Sequence, residues 1–259
     1  MFRYFRAMTS RRAVMGHAAC PTPWRRPHAA GAAIAVLWMA VWVQSARGTA
    51  QRMWGEDVTW GLPRWRSAQN IPTQLGVLPM LFTIAWLSGR RSLETWATPP
   101  AARASCAARR YACEVAMVYI VAMVLLVDFP AELLGIIPTL PLTLVLHHLL
   151  SFFAHAVCIG LPAARASRGY YWAGLVAFEM GSGACNVWVL HPENAHVCRA
   201  YLVVMTVSNL IGTGTLVYWV RSCRGIPPWL RAFGFAFVVV LSLLREKECV
   251  VQLASVSNG

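Results

Sequence analysis

The sequence is poor in acidic residues and almost devoid of lysine. Only 10 of its 259 residues are Asp or Glu, against 23 that are Lys or Arg, and Lys247 is the single lysine. Charged residues make up 13% of the chain and hydrophobic residues 58%, which is too little charge to cover a surface that faces water on all sides. The composition excludes an ordinary water-soluble domain and indicates a membrane protein.

The chain also lacks the patterns that bind metals or nucleic acids. Its eight cysteines include no CxxC pair and no regular framework, which argues against a zinc site or a disulfide scaffold. The net charge of +13 arises from arginines that lie in short segments beside apolar runs, where lipid headgroups account for them. We therefore expect no metal, no other cofactor and no nucleic-acid partner.

The chain does contain long apolar runs. A helix needs about 20 apolar residues to cross the hydrocarbon core of a bilayer. Seven runs meet or approach this length, at about 28–46, 71–88, 112–129, 140–161, 170–190, 199–220 and 228–245. The predicted fold class is therefore all-α, a polytopic transmembrane bundle of about six or seven helices.

The runs and the charges between them predict the organisation of the chain. It comprises a basic N-terminal tail (1–27), a first transmembrane helix with its loop (28–70), a membrane domain (71–245) and a C-terminal tail (246–259). More loop arginines fall on the side of the N-terminus, so that side is predicted to be cytoplasmic, with Arg245 and Lys247 counted on the opposite side. The basic tail is either an ordinary cytoplasmic tail or an organellar targeting segment.

The stretch LVLHHLLSFFAH, residues 144–155, carries three histidines within one apolar run. At 100° per residue, His147, His148, Ser151 and His155 fall within one arc of about 100° on a helix. Ionisable side chains inside a membrane are costly and usually face the interior of a bundle. This pattern predicts a polar helix face that borders an internal pocket.

The next run has a polar face as well. Glu179, Ser182 and Asn186 share one side of its helix, and Glu179 beside His147 or His148 would form a buried acid and imidazole pair. Such a pair is either a general base with its orienting carboxylate or a polar cluster that only holds two helices together. Small residues on the opposite side predict close packing against another helix: Ala173, Ala177, Gly181 and Cys185.

The segment from about 71 to 245 resembles the TLC-domain family, which includes ceramide synthases, translocating-chain-associated membrane proteins and small lipid-homeostasis proteins. The likeness rests on HHLLSFFAH followed in the next helix by FEMGSGACNVWVL. It corresponds to an HH pair and an E-x-S/T-x-x-x-N pattern, although Glu179 and Asn186 are one residue further apart here. The resemblance implies a bundle with a lipid-accessible cavity, in the endoplasmic reticulum or another endomembrane.

The resemblance also implies roles for the site residues. His147 and His148 would replace the pair that takes part in acyl transfer from acyl-CoA to a sphingoid amine in ceramide synthases. The HD...D segment of those enzymes has no counterpart, because no aspartate follows Asp128. We therefore expect a protein of lipid homeostasis, trafficking or sensing, whose partners are membrane lipids such as a sphingolipid or phospholipid, or acyl-CoA. The residues expected to line its lipid pocket are Ser151, His155, Glu179, Ser182 and Asn186.

Two alternatives to this hypothesis stay open at the level of the sequence. One is an acyl-CoA-dependent N-acyltransferase of the ceramide-synthase type, in which His147 or His148 is the general base and Glu179 orients it. The other is a small transporter or seven-helix receptor that uses the same pocket for a water-soluble ligand.

Overall fold

The structure is a computed structural model that describes residues 22–42, 47–55, 57–59, 62–88, 104–126, 142–160, 168–222 and 226–257. Within these ranges the chain is helical apart from short connections and one small hairpin. In the hairpin, Val58–Thr59 (β1) pairs antiparallel with Leu62–Pro63 (β2). The all-α prediction is confirmed.

Nine α-helices are numbered here along the described part of the chain. They are α1 (Thr22–Val41), α2 (Arg47–Trp54), α3 (Arg64–Ile71), α4 (Leu78–Ser88), α5 (Ala104–Leu126), α6 (Leu142–Gly160), α7 (Arg168–Leu190), α8 (Ala195–Ser222) and α9 (Pro228–Ser257). A π-helical segment, Pro72–Val77, joins α3 to α4 without a break. Each predicted apolar run lies on helix wherever the structure describes it.

Four helical stretches are long and apolar enough to cross a membrane. They are Arg64–Ser88, Arg168–Leu190, Ala195–Ser222 and Pro228–Lys247. These four stretches are compatible with an integral membrane protein. Within the described ranges, length and composition identify four spans, so the predicted count of six or seven is not established.

The helix α7 lies at the centre of the bundle. It packs along α8 and also contacts α3, the π-helical segment and α4. Trp172 of α7 is fully buried in the main core, which also contains Met117 and Ile120 of α5. The packing of α7 on several neighbours places its polar residues inside the protein rather than against lipid.

Glycines allow α7 and α8 to approach closely. A Cβ added to Gly181 would overlap Ser208 of α8, and one added to Gly174 would lie only 2.8 Å from Thr215. Cys185 packs against the cluster that contains Met205 of α8. Two residues of the predicted small-residue face, Gly181 and Cys185, therefore lie against α8, and this contact extends to Gly174, which was not part of the predicted face.

Arginine contacts fix both ends of α7. At its start, Arg168 Nη1 lies 2.7 Å from Glu114 Oε1 of α5 in a largely buried ion pair. At its end, Arg64 Nη2 donates a hydrogen bond to the Leu190 carbonyl oxygen at 2.6 Å. A cation is favourable there because the last carbonyl groups of a helix lack partners and carry partial negative charge.

The π-helical segment turns polar side chains into the bundle. Pro72 begins it, and because proline has no N–H, the regular ladder of helical hydrogen bonds is already interrupted at this point. Thr73 Oγ1 accepts a hydrogen bond from Trp38 Nε1 of α1 at 3.1 Å. Gln74 is buried and lies against Gly183 of α7, where an added Cβ would be 3.2 Å from the Gln74 Cβ.

The helix α9 extends beyond the predicted end of the seventh run, so that residues 246–257 of the expected tail are helical. Arg245, which the orientation count treated as a charge outside the membrane domain, lies within this helix and bonds to α7 and α8. Its treatment as a loop charge was wrong, because protein acceptors surround its guanidinium in place of water or headgroups.

Candidate functional site

A cavity lies between α5, α6, α7, α8 and α9, with an empty volume of about 580 Å³ that includes the part open to the outside. Besides Tyr171, whose hydroxyl is bonded to His155, five polar side chains line it: His147, Ser151, Glu179, Ser182 and Arg245. Most of the remaining lining is apolar and includes Val121, Leu125, Leu175, Leu216, Phe237 and Leu241. This space is called the inner cavity below.

The polar side chains of the inner cavity lie at similar depths in the bundle. His155 of α6 meets Tyr171 of α7 close to the connection between these helices, so earlier positions on α6 lie opposite later positions on α7. His147 precedes His155 by about 12 Å along its helix, and Ser182 follows Tyr171 by about 16 Å. Arg245 reaches the same depth because it is hydrogen-bonded to Ser182.

Apolar residues continue the wall away from this polar end. On α9, Leu241 and Phe237 precede Arg245 by one and two helical turns, so the three share one face over about 12 Å. On α7, Leu175 precedes Glu179 by one turn and also lines the cavity. The inner cavity is therefore amphipathic along its length, with a polar end and an apolar shaft.

Arg245 is held by groups from α7 and α8. Its Nε donates to Asn209 Oδ1 at 2.8 Å, its Nη1 to Ser182 Oγ at 3.0 Å and its Nη2 to the Phe178 carbonyl oxygen at 3.0 Å. The guanidinium carbon also lies 5.1 Å from the centre of the Phe178 ring. Asn209 Nδ2 in turn donates to Glu246 Oε1 at 2.7 Å. These bonds to defined acceptors stabilise a positive charge inside a membrane span.

Gln74 joins the two ends of the predicted polar face of α7. Its Nε2 donates to Glu179 Oε2 at 2.9 Å, and its Oε1 accepts from Asn186 Nδ2 at 2.7 Å. One amide therefore satisfies an acceptor and a donor that lie about two helical turns apart. Through Gln74, the π-helical segment determines the position of Glu179 at the edge of the inner cavity.

The three histidines of α6 have different surroundings. His147 lines the inner cavity, whereas His148 does not belong to its lining although the two rings are 5.6 Å apart. His155 is 2% exposed, and its Nε2 lies 3.1 Å from the Val118 carbonyl oxygen. A carbonyl only accepts, so Nε2 carries the proton, and Nδ1 accepts from the Tyr171 hydroxyl at 2.9 Å.

This geometry gives His155 a structural role. Both of its ring nitrogens are engaged, and its bonds connect α6 to α5 and α7. His155 was expected in the lipid pocket, but the structure places it behind Tyr171, which itself lines the inner cavity. Asn186 likewise lies outside that lining and reaches the site through Gln74.

The expected pairing of acid and imidazole is not formed within the described chain. The side chain of Glu179 accepts its hydrogen bond from Gln74, and neither His147 nor His148 bonds to it. His147, Ser151 and Glu179 nevertheless face the same space. The arrangement can offer donors and acceptors to a polar group that enters the inner cavity.

Two residues of the site, Gln74 and Arg245, were missed by sequence reasoning. Gln74 is the only Gln, Asn, Asp, Glu, His, Lys or Arg within the predicted run 71–88, and this isolation is a signal that could have identified it. Arg245 falls at the end of a run, where an arginine at a membrane boundary is the ordinary interpretation. Only the contacts with α7 and α8 identify its position.

Neither a protein-family model, nor a curated protein, nor a solved structure matches this chain. In the part of the chain that the structure describes, no group of three or more His, Cys, Asp or Glu side chains is arranged to hold a metal ion. The geometry of the inner cavity is therefore what indicates a function for this protein.

Proposed function

We propose that this chain is an integral membrane protein that binds a membrane lipid in the inner cavity and acts in lipid homeostasis, trafficking or sensing. The observation that carries the proposal is the division of the cavity into a polar end and an apolar shaft, in a space that is lined partly by α7, α8 and α9, three helices long and apolar enough to cross a membrane. A ligand with a small polar head and an alkyl chain would place each part against groups of its own kind. The resemblance to TLC-domain proteins, and with it an endomembrane location, is part of this proposal.

The polar end supports a head with both donors and acceptors. Arg245 is a cation and donor, Glu179 is an acceptor, and the Ser151 hydroxyl can act as either. A head that combines an anionic or carbonyl oxygen with a hydroxyl or amine group would match this set. Sphingolipids and phospholipids both contain such heads, and we take them as the ligand class.

Acyl transfer is the second candidate function, and one observation favours it. His147 lies at the polar end of the inner cavity, where it would reach the head of a bound lipid. A neutral imidazole there would act as a general base for a hydroxyl or amine. Since Glu179 bonds to Gln74 and not to His147, no carboxylate in the described chain orients this imidazole. Lipid binding therefore remains the first proposal.

The proposal of lipid binding is tested by filling the apolar shaft. The protein is purified in mild detergent, and its bound lipids are extracted and identified by mass spectrometry. Leu241→Trp adds an indole to the shaft, whereas Leu243→Trp adds it on the same helix at a side chain that is 64% exposed. We expect one lipid class to be enriched in the wild type and in Leu243→Trp but depleted in Leu241→Trp. Equal lipid content in all three proteins would refute the proposal.

A second experiment separates binding from acyl transfer. Lipid pools are quantified in cells that express the wild type, His147→Ala or His148→Ala at matched protein levels. Under the first proposal, no acylated product depends on His147. Acyl transfer predicts a different result. The wild type and His148→Ala would then raise the amount of an acylated lipid, and His147→Ala would not. That result would favour acyl transfer over lipid binding as the function.

A further inference from the structure

A second pocket opens between α6 and α9, beyond the apolar shaft. Its empty volume is about 420 Å³, and its walls include Phe153 and Val157 of α6, Trp219 of α8, and Leu230 and Phe233 of α9. It shares two lining residues, Ala154 and Phe237, with the inner cavity. The two spaces are therefore neighbours along one path, and we call the second one the outer groove.

The outer groove faces the surroundings of the protein. In the ranges 142–160 and 228–257, α6 and α9 make little or no direct backbone contact. The rings of Phe153 and Phe233 bridge the gap in an edge-to-face arrangement, with 6.1 Å between their centres, and both residues are a little over two-fifths exposed. In a membrane, this opening would face the hydrocarbon chains of the bilayer.

One charged residue, Arg231, interrupts the apolar walls of the outer groove. Its Nε is buried and has no hydrogen-bond acceptor in the part of the chain that the structure describes. Among the arginines whose side chains the structure describes, it alone combines a buried nitrogen with the absence of any acceptor. Arg231 is half-buried, and taking one of its N–H donors out of water without an acceptor is costly, so an acceptor from outside the described chain would stabilise this site.

Trp219, which lines the same groove, also has a buried hydrogen-bond donor without an acceptor among the described residues. The residue is 6% exposed, and this donor is its indole Nε1. Two buried N–H donors therefore belong to one groove, and one of them carries a positive charge. A phosphate group has enough acceptor oxygens to bond to both.

The outer groove lies where the phosphate group of a membrane lipid would be expected. Arg231 lies in the first turn of α9 beside the exposed Trp229, and α8 ends nearby with the exposed Arg221. Tryptophan and arginine together are typical of the boundary between membrane and water. Because this side carries the predicted cytoplasmic arginines, it would face the leaflet that is rich in anionic phospholipids.

We infer that the outer groove binds an anionic phospholipid, with its phosphate at Arg231 and Trp219 and one acyl chain between α6 and α9. From Arg231 to Arg245 the helix α9 extends about 21 Å, which is comparable with the length of an extended long acyl chain. The chain would point along the shared residues Ala154 and Phe237 toward the inner cavity. This inference does not depend on the proposed function of the inner cavity, because its charge and its opening are separate features.

The test uses the purified full chain in a neutral detergent, with a phosphatidylglycerol and the corresponding phosphatidylcholine as probes. Binding is measured by native mass spectrometry in the wild type, Arg231→Gln and Arg221→Gln. We expect phosphatidylglycerol to bind about tenfold more weakly to Arg231→Gln, as befits the loss of a charged hydrogen bond, and unchanged to Arg221→Gln. Equal binding of both lipids to the wild type would overturn the assignment of an anionic head.

Two further measurements distinguish the source of the phosphate and guard against misfolding. Glycerol phosphate, which has no acyl chain, should not displace the lipid, and displacement at equal concentration would assign the groove to a soluble phosphate compound. Gly234 also lines the groove, and an added Cβ would lie at an ordinary 3.5 Å from Val220. Gly234→Ala should therefore fold, and Gly234→Leu, checked for an unchanged Tm, should weaken lipid binding with Arg231 intact, whereas unchanged binding in a folded Gly234→Leu would overturn the position of the acyl chain.

The two proposed lipid sites, the inner cavity and the outer groove, can be tested independently of each other. Leu241 belongs to the inner cavity alone, and Arg231 belongs to the outer groove alone. Loss of lipid in Arg231→Gln with normal retention in Leu241→Trp would support the outer groove and refute the inner cavity. The reverse pattern would refute the outer groove and leave the proposed function in place.

Discussion

Arg245 Nη1 donates a hydrogen bond to Ser182 Oγ at 3.0 Å and thereby joins α9 to the central helix α7. The same guanidinium bonds to Asn209 of α8, so a single side chain connects three helices at the polar end of the inner cavity. A buried arginine with this many defined acceptors positions the helices that surround it. It also gives the cavity a positive charge that a lipid head can contact.

Replacing Arg245 should destabilise the protein. Arg245→Met keeps much of the side-chain volume but leaves Asn209 Oδ1 and the Phe178 carbonyl oxygen without this donor. We expect a loss of about 3 kcal/mol in unfolding free energy, measured as a lower Tm in detergent. Arg221→Met, at an exposed position, is the control and should leave the Tm within about one degree. Equal Tm values for both variants would contradict the role of Arg245.

The contact between α7 and α8 should be sensitive to one added methyl group. A Cβ at Gly181 would overlap Ser208 and lie 2.7 Å from Arg245 Nη2, whereas nothing lies within 4 Å of a Cβ at Gly214. Gly181→Ala should therefore cost about 1 to 3 kcal/mol, and Gly214→Ala should be neutral or stabilising by up to about 1 kcal/mol. Thermal unfolding of both variants checks this, and a stabilised Gly181→Ala would disprove the close approach.

Gln74 should be energetically coupled to its partners. Gln74→Leu removes the donor to Glu179 and the acceptor for Asn186, and Asn186→Leu removes the same second bond from the other side. A double-mutant cycle of unfolding free energies should give a coupling of at least about 0.5 kcal/mol between these two positions. Strict additivity would show that the bond between Gln74 and Asn186 contributes nothing.

His155 and His147 should respond in opposite ways to replacement by phenylalanine. His155→Phe leaves the Tyr171 hydroxyl and the Val118 carbonyl oxygen without their partner, so we expect lower stability by about 1 to 3 kcal/mol. His147→Phe changes a cavity wall instead, and should alter the bound lipid more than the Tm. Thermal unfolding and extracted lipid, measured on both variants, check this division. A normal Tm with lost lipid in His155→Phe would reverse the assignment.

The helices could be predicted from the sequence because apolar length is a direct consequence of the lipid solvent. Projection onto a helix also brought His147, Ser151, Glu179 and Ser182 to one pocket. Projection alone does not say which neighbour each side chain meets. For this reason His155, on the same predicted arc as His147, was expected in the pocket although Tyr171 and Val118 engage it.

The remaining features depend on contacts between distant segments. Gln74 reaches Glu179 across 105 positions in sequence, and it does so from a π-helical segment, where the usual rotation of 100° per residue does not hold. Arg245 could not be recognised as an internal residue, because the apolar run ends at it while the helix continues to Ser257. Both residues are identified only by the groups that they contact.

The arginine of the polar end comes from α9, whereas Ser182 and Asn209, to which it bonds, belong to helices made earlier. Because synthesis runs from the N-terminus, α7 and α8 leave the ribosome before Arg245 does. Until α9 joins them, the inner cavity has an open side and Asn209 lacks this partner. The inner cavity is thus completed only when α9 packs, so a cellular quality-control factor that surveys exposed polar groups in the bilayer would recognise the unfinished protein at the open side of this cavity.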